Sequence, residues 1–233
     1  MKKIATLILL LTWTGILFAQ QSNLYKTESF TKIQVGNQLN IKLTQSDSCY
    51  ILITNDDFNP EKFDYSIVNN TLKINTKGLK NAQLDLIIGA PNFEEVFMNG
   101  AGGLKSTQKL TGNSLYLQLS GASDADLNLE YQQLMVHLSG ASDAKITGIV
   151  DSIYLHSSGA SDFDAFSTTN IFASIQASGA SDVKLNTDST IIADLSGSSS
   201  LKYKKNPKYK KINSNESVWI GNDHEGIEVS EGE

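Results

Sequence analysis

From Leu115 to Tyr203 apolar and polar residues alternate with a period of two, the pattern of strands with one buried face. Leu115, Leu117 and Leu119 are followed at similar positions by Leu134, Val136 and Leu138, then Ile153 and Leu155, then Ala173, Ile175 and Ala177, then Ile191, Ala193 and Leu195. Each set precedes a turn, and a second apolar pair follows it: Ala125/Leu127, Ala144/Ile146, Phe163/Ala165, Val183/Leu185 and Leu201/Tyr203. The turn is Ser-Gly-Ala-Ser-Asp, identical at 120–124, 139–143, 158–162 and 178–182, with degenerate copies at Asn99-Gly100-Ala101-Gly102 and Ser196-Gly197-Ser198-Ser199-Ser200. Successive motif glycines lie 21, 19, 19, 20 and 18 residues apart, so the length differences must be absorbed in a loop elsewhere in each repeat.

A unit of strand, tight turn, strand and loop cannot bury its apolar face alone, but copies stacked at about 4.8 Å form a continuous core. The prediction is an all-β parallel β-helix, a single-stranded solenoid, right-handed, with coils of 18–21 residues. The outward residue after each turn supports in-register stacking. It reads Lys105, Asp126, Lys145, Asp164, Lys184, Lys202, with opposite charges beside one another along most of the stack.

Residues 91–220 form this repeat region. Residues 20–90 also alternate, as in Ile33/Val35, Leu39/Ile41/Leu43 and Leu72/Ile74, but lack the repeated turn. They read as irregular first coils or a small capping sheet, with Asn69-Asn70 as a tight turn. Residues 221–233, acidic from Asp223 onward and poor in apolar side chains, read as a mobile tail.

Residues 1–19 stand outside the pattern. Lys2 and Lys3 precede an apolar stretch, Ile4–Leu11 with Ile16–Phe18, and Ala19 closes a cleavage site, as in a secretory signal peptide. Export is therefore expected, to the periplasm, the cell surface or the medium. No later apolar run reaches membrane-spanning length. Cys49 is the only cysteine, so an intramolecular disulfide is excluded and the residue reads as a small buried hydrophobe. There is no Arg, and the net charge of −6 becomes −8 once Lys2 and Lys3 leave with the leader, which argues against a nucleic-acid partner.

The leader, the opening Phe30-Thr31-Lys32-Ile33-Gln34-Val35-Gly36, the Asn70-Thr71-Leu72-Lys73-Ile74 segment, the Gly100-Ala101-Gly102 element and the recurring Ser-Gly-Ala-Ser-Asp turns together resemble the bacterial head GIN domain family of auto-transporter adhesins. The resemblance covers nearly all of the mature chain. It implies an exported β-helix of the bacterial cell envelope and a role in surface attachment.

Two sets of residues are candidates for chemistry. Stacking places Asp124, Asp143, Asp162 and Asp182 in one column. In a purely structural reading the glycine supplies positive φ, while Ser and Asp side chains accept nearby backbone N–H groups. The competing reading is a calcium ladder, against which stands the spacing, because calcium-binding β-rolls repeat about every nine residues. The second set lies on the outward face of the strand before the turn. One column reads Gln118, His137, His156, Gln176, Asp194, and its neighbour Tyr116, Met135, Tyr154, Ser174, Ile192. Tyr116, Gln118, His137, Tyr154, His156 and Gln176 are the candidate ligand-binding residues, for a glycan or a cell-surface protein, and the same face suits a homo-oligomer interface.

Catalysis is not expected. Pectate-type lyases on this fold commonly use an Arg base, absent here, and glycoside hydrolases need two differentiated carboxylates roughly 5–9.5 Å apart in a cleft. The expectation is thus a non-enzymatic binding protein without a cofactor. A structural envelope component and a degenerate polysaccharide-processing enzyme are the alternatives.

Overall fold

The computed structural model describes residues 23–55, 63–75, 84–215 and 219–222. Residues 1–19, expected to be a leader, and the acidic segment 223–233, expected to be a mobile tail, lie outside these. The described residues form strands and no helix, arranged as a solenoid of about six turns with parallel coils.

Four long strands build the body: β8 (Glu95–Ser106), β9 (Leu110–Gly140), β10 (Asp143–Ser157) and β11 (Asp162–Ala177), continued by β12 (Asp182–Leu195). Each pairs in parallel with the next, so every coil lies on its predecessor. The stack ends with β13 (Ser200–Tyr203) and β14 (Tyr209–Ser214), both on β12, and with β15 (Trp219–Asn222) on β13.

At the other end, β2 (Lys32–Asn37) and β3 (Leu39–Gln45) both pair in parallel with β8 and make the first coil of the same sheet. Among the described residues antiparallel pairing is confined to this end. There β1 (Leu24–Lys26) and β4 (Tyr50–Ile53) extend the sheet through β7 (Leu84–Ala90), while β5 (Asp64–Val68) and β6 (Thr71–Asn75) form a hairpin beside β2. Asn69 and Asn70, at φ of 52° and 61°, make its two-residue turn, since a type I′ turn needs positive φ at both positions.

All the apolar residues paired across the turns in the alternation, from Leu115 to Tyr203, are buried, and one continuous core runs the length of the stack. Cys49 is buried and unbridged, its thiol facing the Phe30 carbonyl. The charge column is in register, with Lys145 beside Asp126 and Asp164, and Lys184 beside Asp164.

The motif glycines stack at positive φ, from +73° to +87° between Gly121 and Gly197. A Cβ on Gly140 would sit 2.6 Å from the Gly121 carbonyl oxygen. Gly is needed here twice over, for its backbone conformation and for the close approach of the coil beneath.

The second motif serine behaves differently from the expectation. Ser123, Ser142, Ser161, Ser181 and Ser199 are buried, and each hydroxyl donates to the carbonyl three residues earlier, at 2.8–3.0 Å. They do not accept N–H groups. At these corners the side chain turns inward, where the carbonyl that the turn leaves pointing into the core is the group in need of a partner.

Length differences between repeats are absorbed as register shifts between extended strands. One lies between Lys145 and Thr147 where β10 meets β11, and others between Ala165, Asn170 and Phe172 where β11 meets β12. The β9–β10 ladder, whose repeats are equal in length, shows none.

Candidate functional site

Two outward ladders on one flat face carry the candidate residues. The parallel register brings His156 beside His137 on one side and Gln176 on the other, Gln176 beside Asp194, and Asp194 beside Asn213. At the N-terminal end Gln118 lies beside Phe97. In the neighbouring ladder Glu95 meets Tyr116, and Tyr154 sits between Met135 and Ser174.

The side chains merge part of the two ladders into one row. Tyr116 leans across, its hydroxyl donating to Gln118 Oε1 at 3.1 Å, and its ring lies between those of Phe97 at 5.4 Å and His137 at 5.3 Å. His137 is 5.4 Å from His156, whose Nδ1 is 3.2 Å from Gln176 Oε1. A carbonyl-type oxygen only accepts, so in this contact Nδ1 is the donor. Successive rings are inclined by 38–46°; Phe97 and Tyr116 are half-buried, and His137 and His156 are exposed. Tyr154, 39% exposed, stays on its own ladder and packs against Phe172.

The row is electrically quiet. Partial burial holds the His137 imidazolium below its ordinary range, and the neighbouring His156 lowers it further. Burial beside Glu95 raises the Tyr116 phenol. Formal charges stand at the ends, in the Lys32–Glu95 ion pair (2.7 Å) and at Asp194, which accepts from Asn213 at 2.6 Å.

All six residues picked from sequence thus share this face, and five of them form the row. Phe97, Phe172 and Asn213 belong to the same face but were missed. Phe97 stands three residues before Gly100, as Gln118 stands before Gly121, so the degenerate first motif held the signal. Asn213 precedes no glycine turn.

The aspartates occupy another edge. Asp124 pairs with Asp143, and Asp162 with Asp182. Their carboxylates reach along the stack: Asp143 Oδ1 accepts the N–H of Asp162 at 3.1 Å, and Asp182 Oδ1 the hydroxyl of Ser200 at 2.5 Å. Asn40 continues the pattern, accepting the N–H of Gly103 at 3.3 Å. Burial, then Asp143 and Asp182, raise the Asp162 carboxyl. Among the described residues no group of three or more His, Cys, Asp or Glu side chains is placed to hold a metal ion.

Two grooves open beside this edge. One of about 430 Å³ includes Gln38, Asn40, Gly102 and Asp124, and one of about 270 Å³ includes Lys42, Thr54, Asp85 and Lys105. Each contains a single carboxylate. Asp85 and Asp124 are separated by the Asn40 and Gly103 steps of the ladder, about 14 Å at the usual strand spacing. That exceeds the separation at which two carboxylates cleave a glycosidic bond.

A family model described as "Putative auto-transporter adhesin, head GIN domain" matches residues 29–207. The chain belongs to the head GIN domain family. Among solved structures, this head GIN chain is similar to a "putative adhesin" from Bacteroides fragilis, with 25% identity and a TM-score of 0.79 over 86% of this chain and 95% of that one. A "putative lipid binding protein" from Parabacteroides distasonis shares 17% identity and a TM-score of 0.65, over 87% and 96%. A further "putative adhesin", from Parabacteroides merdae, shares 15% identity and a TM-score of 0.59, over 86% and 95%. The last two likenesses establish the fold alone. No curated protein matches.

Proposed function

We propose that this head GIN protein is exported and acts without catalysis, as an adhesin-like binding protein that presents the face of Tyr116, Gln118, His137, Tyr154, His156 and Gln176 to a glycan or protein ligand. The observation that carries the reading is the row of rings from Phe97 to His156, each within 5.4 Å of the next, half-buried at Phe97 and Tyr116 and exposed at His137 and His156. A structural solenoid has no need of aromatic and amide side chains in register on an outer face, whereas recognition surfaces are enriched in them. The family's adhesin description supports attachment, and the leader-like residues 1–19 support export. The aspartate edge supports a non-enzymatic role, because Asp143 and Asp182 lie at the turns and spend carboxylate oxygens on hydrogen bonds along the stack.

The test is binding of the purified mature chain to arrayed glycans and extracellular proteins, beside a His137→Ala/His156→Ala double variant. Loss of the captured ligand on the double variant, with an unchanged thermal transition, is expected. Undiminished binding by that variant would overturn the assignment of the face. Sedimentation separates the oligomer reading: a stable dimer dissociated by Tyr154→Ser would make the face a self-association surface.

A further inference from the structure

The row has a length, a repeat and a charge, and together these specify more than a generic ligand. Its repeat is that of the coils, about 4.8 Å per step, with ring centroids 5.3–5.4 Å apart. It runs along the solenoid axis through successive coils at Phe97, Gln118, His137, His156 and Gln176. Its backbone N–H and C=O groups are already paired within the sheet, so an added peptide strand would find no free edge here.

From Gln118 to Gln176 each step offers a polar side-chain atom, and Phe97 and Tyr116 add ring faces beside them. The Gln118 amide is oriented by the Tyr116 hydroxyl, His156 by Gln176, and His137 is held between two rings. Donors and acceptors beside ring surfaces are what a sugar ring requires, since it presents hydroxyls around its rim and C–H groups on its faces. The row from Phe97 to Gln176 contains no Asp, Glu or Lys, and the chain contains no Arg to grip a carboxylate or sulfate.

We propose that the ligand of this face is an uncharged linear glycan lying along the solenoid axis, with one sugar ring on each coil from Phe97 to Gln176. This rests on the binding role above and names its ligand class. An extended β-linked chain of pyranoses advances by roughly 5 Å per residue, close to the strand spacing of about 4.8 Å, so successive sugar rings fall on successive coils. A polymer of regular spacing thereby meets a surface of matching spacing, and affinity accumulates with length, as for any set of linked sites.

The experiment is calorimetric titration of the full mature chain with uncharged β-linked gluco- and manno-oligosaccharides of one to eight residues. Oligogalacturonates of the same lengths are titrated in parallel. Affinity for one uncharged series should rise with each residue up to about five, one per coil of the row, and then level off. His156→Ala should cut the affinity of the pentasaccharide at least tenfold while barely changing that of the disaccharide. Gln176→Ala, at the end of the row, should move the plateau down by one residue. Both side chains are exposed, so the thermal transition should stay in place and report an intact fold.

Tighter binding of the galacturonates would overturn the proposal, as would affinity independent of length. If the face captures a protein and His156→Ala abolishes that capture while no oligosaccharide binds, the glycan inference fails and the binding role stands. If neither variant alters binding of any ligand, both fail.

Discussion

Asp143 accepts, through Oδ1, the backbone N–H of Asp162 in the next coil, at 3.1 Å. The bond ties two carboxylates of like charge into adjacent steps of one column, and Asp162, partly desolvated and flanked by Asp143 and Asp182, holds its proton more tightly than an ordinary aspartate. Below the unfolded value near 3.9 Asp162 is protonated folded or unfolded, and it does not oppose folding. As pH rises through its raised folded value, the folded chain must ionise a group that its surroundings disfavour, so stability is lost toward neutral pH. Asp162→Asn keeps an acceptor oxygen and removes the charge. Urea unfolding between pH 4 and 7 should show the variant gaining on the wild type, by no more than about 1 kcal/mol because the group is exposed. Parallel pH dependences in the two proteins would refute this.

Calcium separates a structural column from an ion ladder. The Asp143 and Asp182 carboxylates are engaged along the stack, by the Asp162 N–H and the Ser200 hydroxyl. Millimolar calcium is expected to leave the melting temperature unchanged. An ion bound by the native state at a hundredfold excess over Kd would instead add about 2.7 kcal/mol. A rise reversed by chelator and lost in an Asp143→Asn/Asp162→Asn variant would establish the ladder.

The glycine column should be intolerant of even one methyl group. Gly140→Ala combines a left-handed backbone (φ +81°) with a Cβ placed 2.6 Å from the Gly121 oxygen. Backbone strain alone costs about 1–3 kcal/mol, and displacement of the neighbouring coil adds to it. Gly36 provides the control, since its nearest neighbour, the Asn99 oxygen, would lie at an ordinary 3.6 Å. A melting temperature lowered by Gly36→Ala as much as by Gly140→Ala would mean that the stacked turns are not the constraint.

Adjacent residues on one strand should respond in opposite ways to the same substitution. Leu138 is sealed between coils, so Leu138→Asp should destabilise by about 4 kcal/mol or more, or prevent folding. His137 faces solvent, and His137→Asp should change stability by less than about 1 kcal/mol while impairing binding at the row. Chemical denaturation of both variants, with far-UV circular dichroism for Leu138→Asp, makes the comparison.

The alternation of Leu134, Val136 and Leu138 with Met135 and His137 was sufficient to assign inside and outside, because in a strand a side chain's face follows from its position alone. The recurring glycine was sufficient to place the turns, because few residues other than glycine tolerate positive φ with a backbone beneath. Together they specified the parallel stack and put His137 beside His156. Other features have no such local cause. The buried serines face the core because the carbonyls of Ser120, Ser139 and Ser158 lie within their reach once the corner has formed. Antiparallel β4 enters beside β7 because β7, laid on the first coil, has an edge that pairing covers. Tyr116 belongs by sequence to the ladder of Met135 and Tyr154, yet its ring stands between Phe97 and His137. Periodicity assigned its face, while the rotamer that closes the row was decided by the neighbours that only stacking brings within reach.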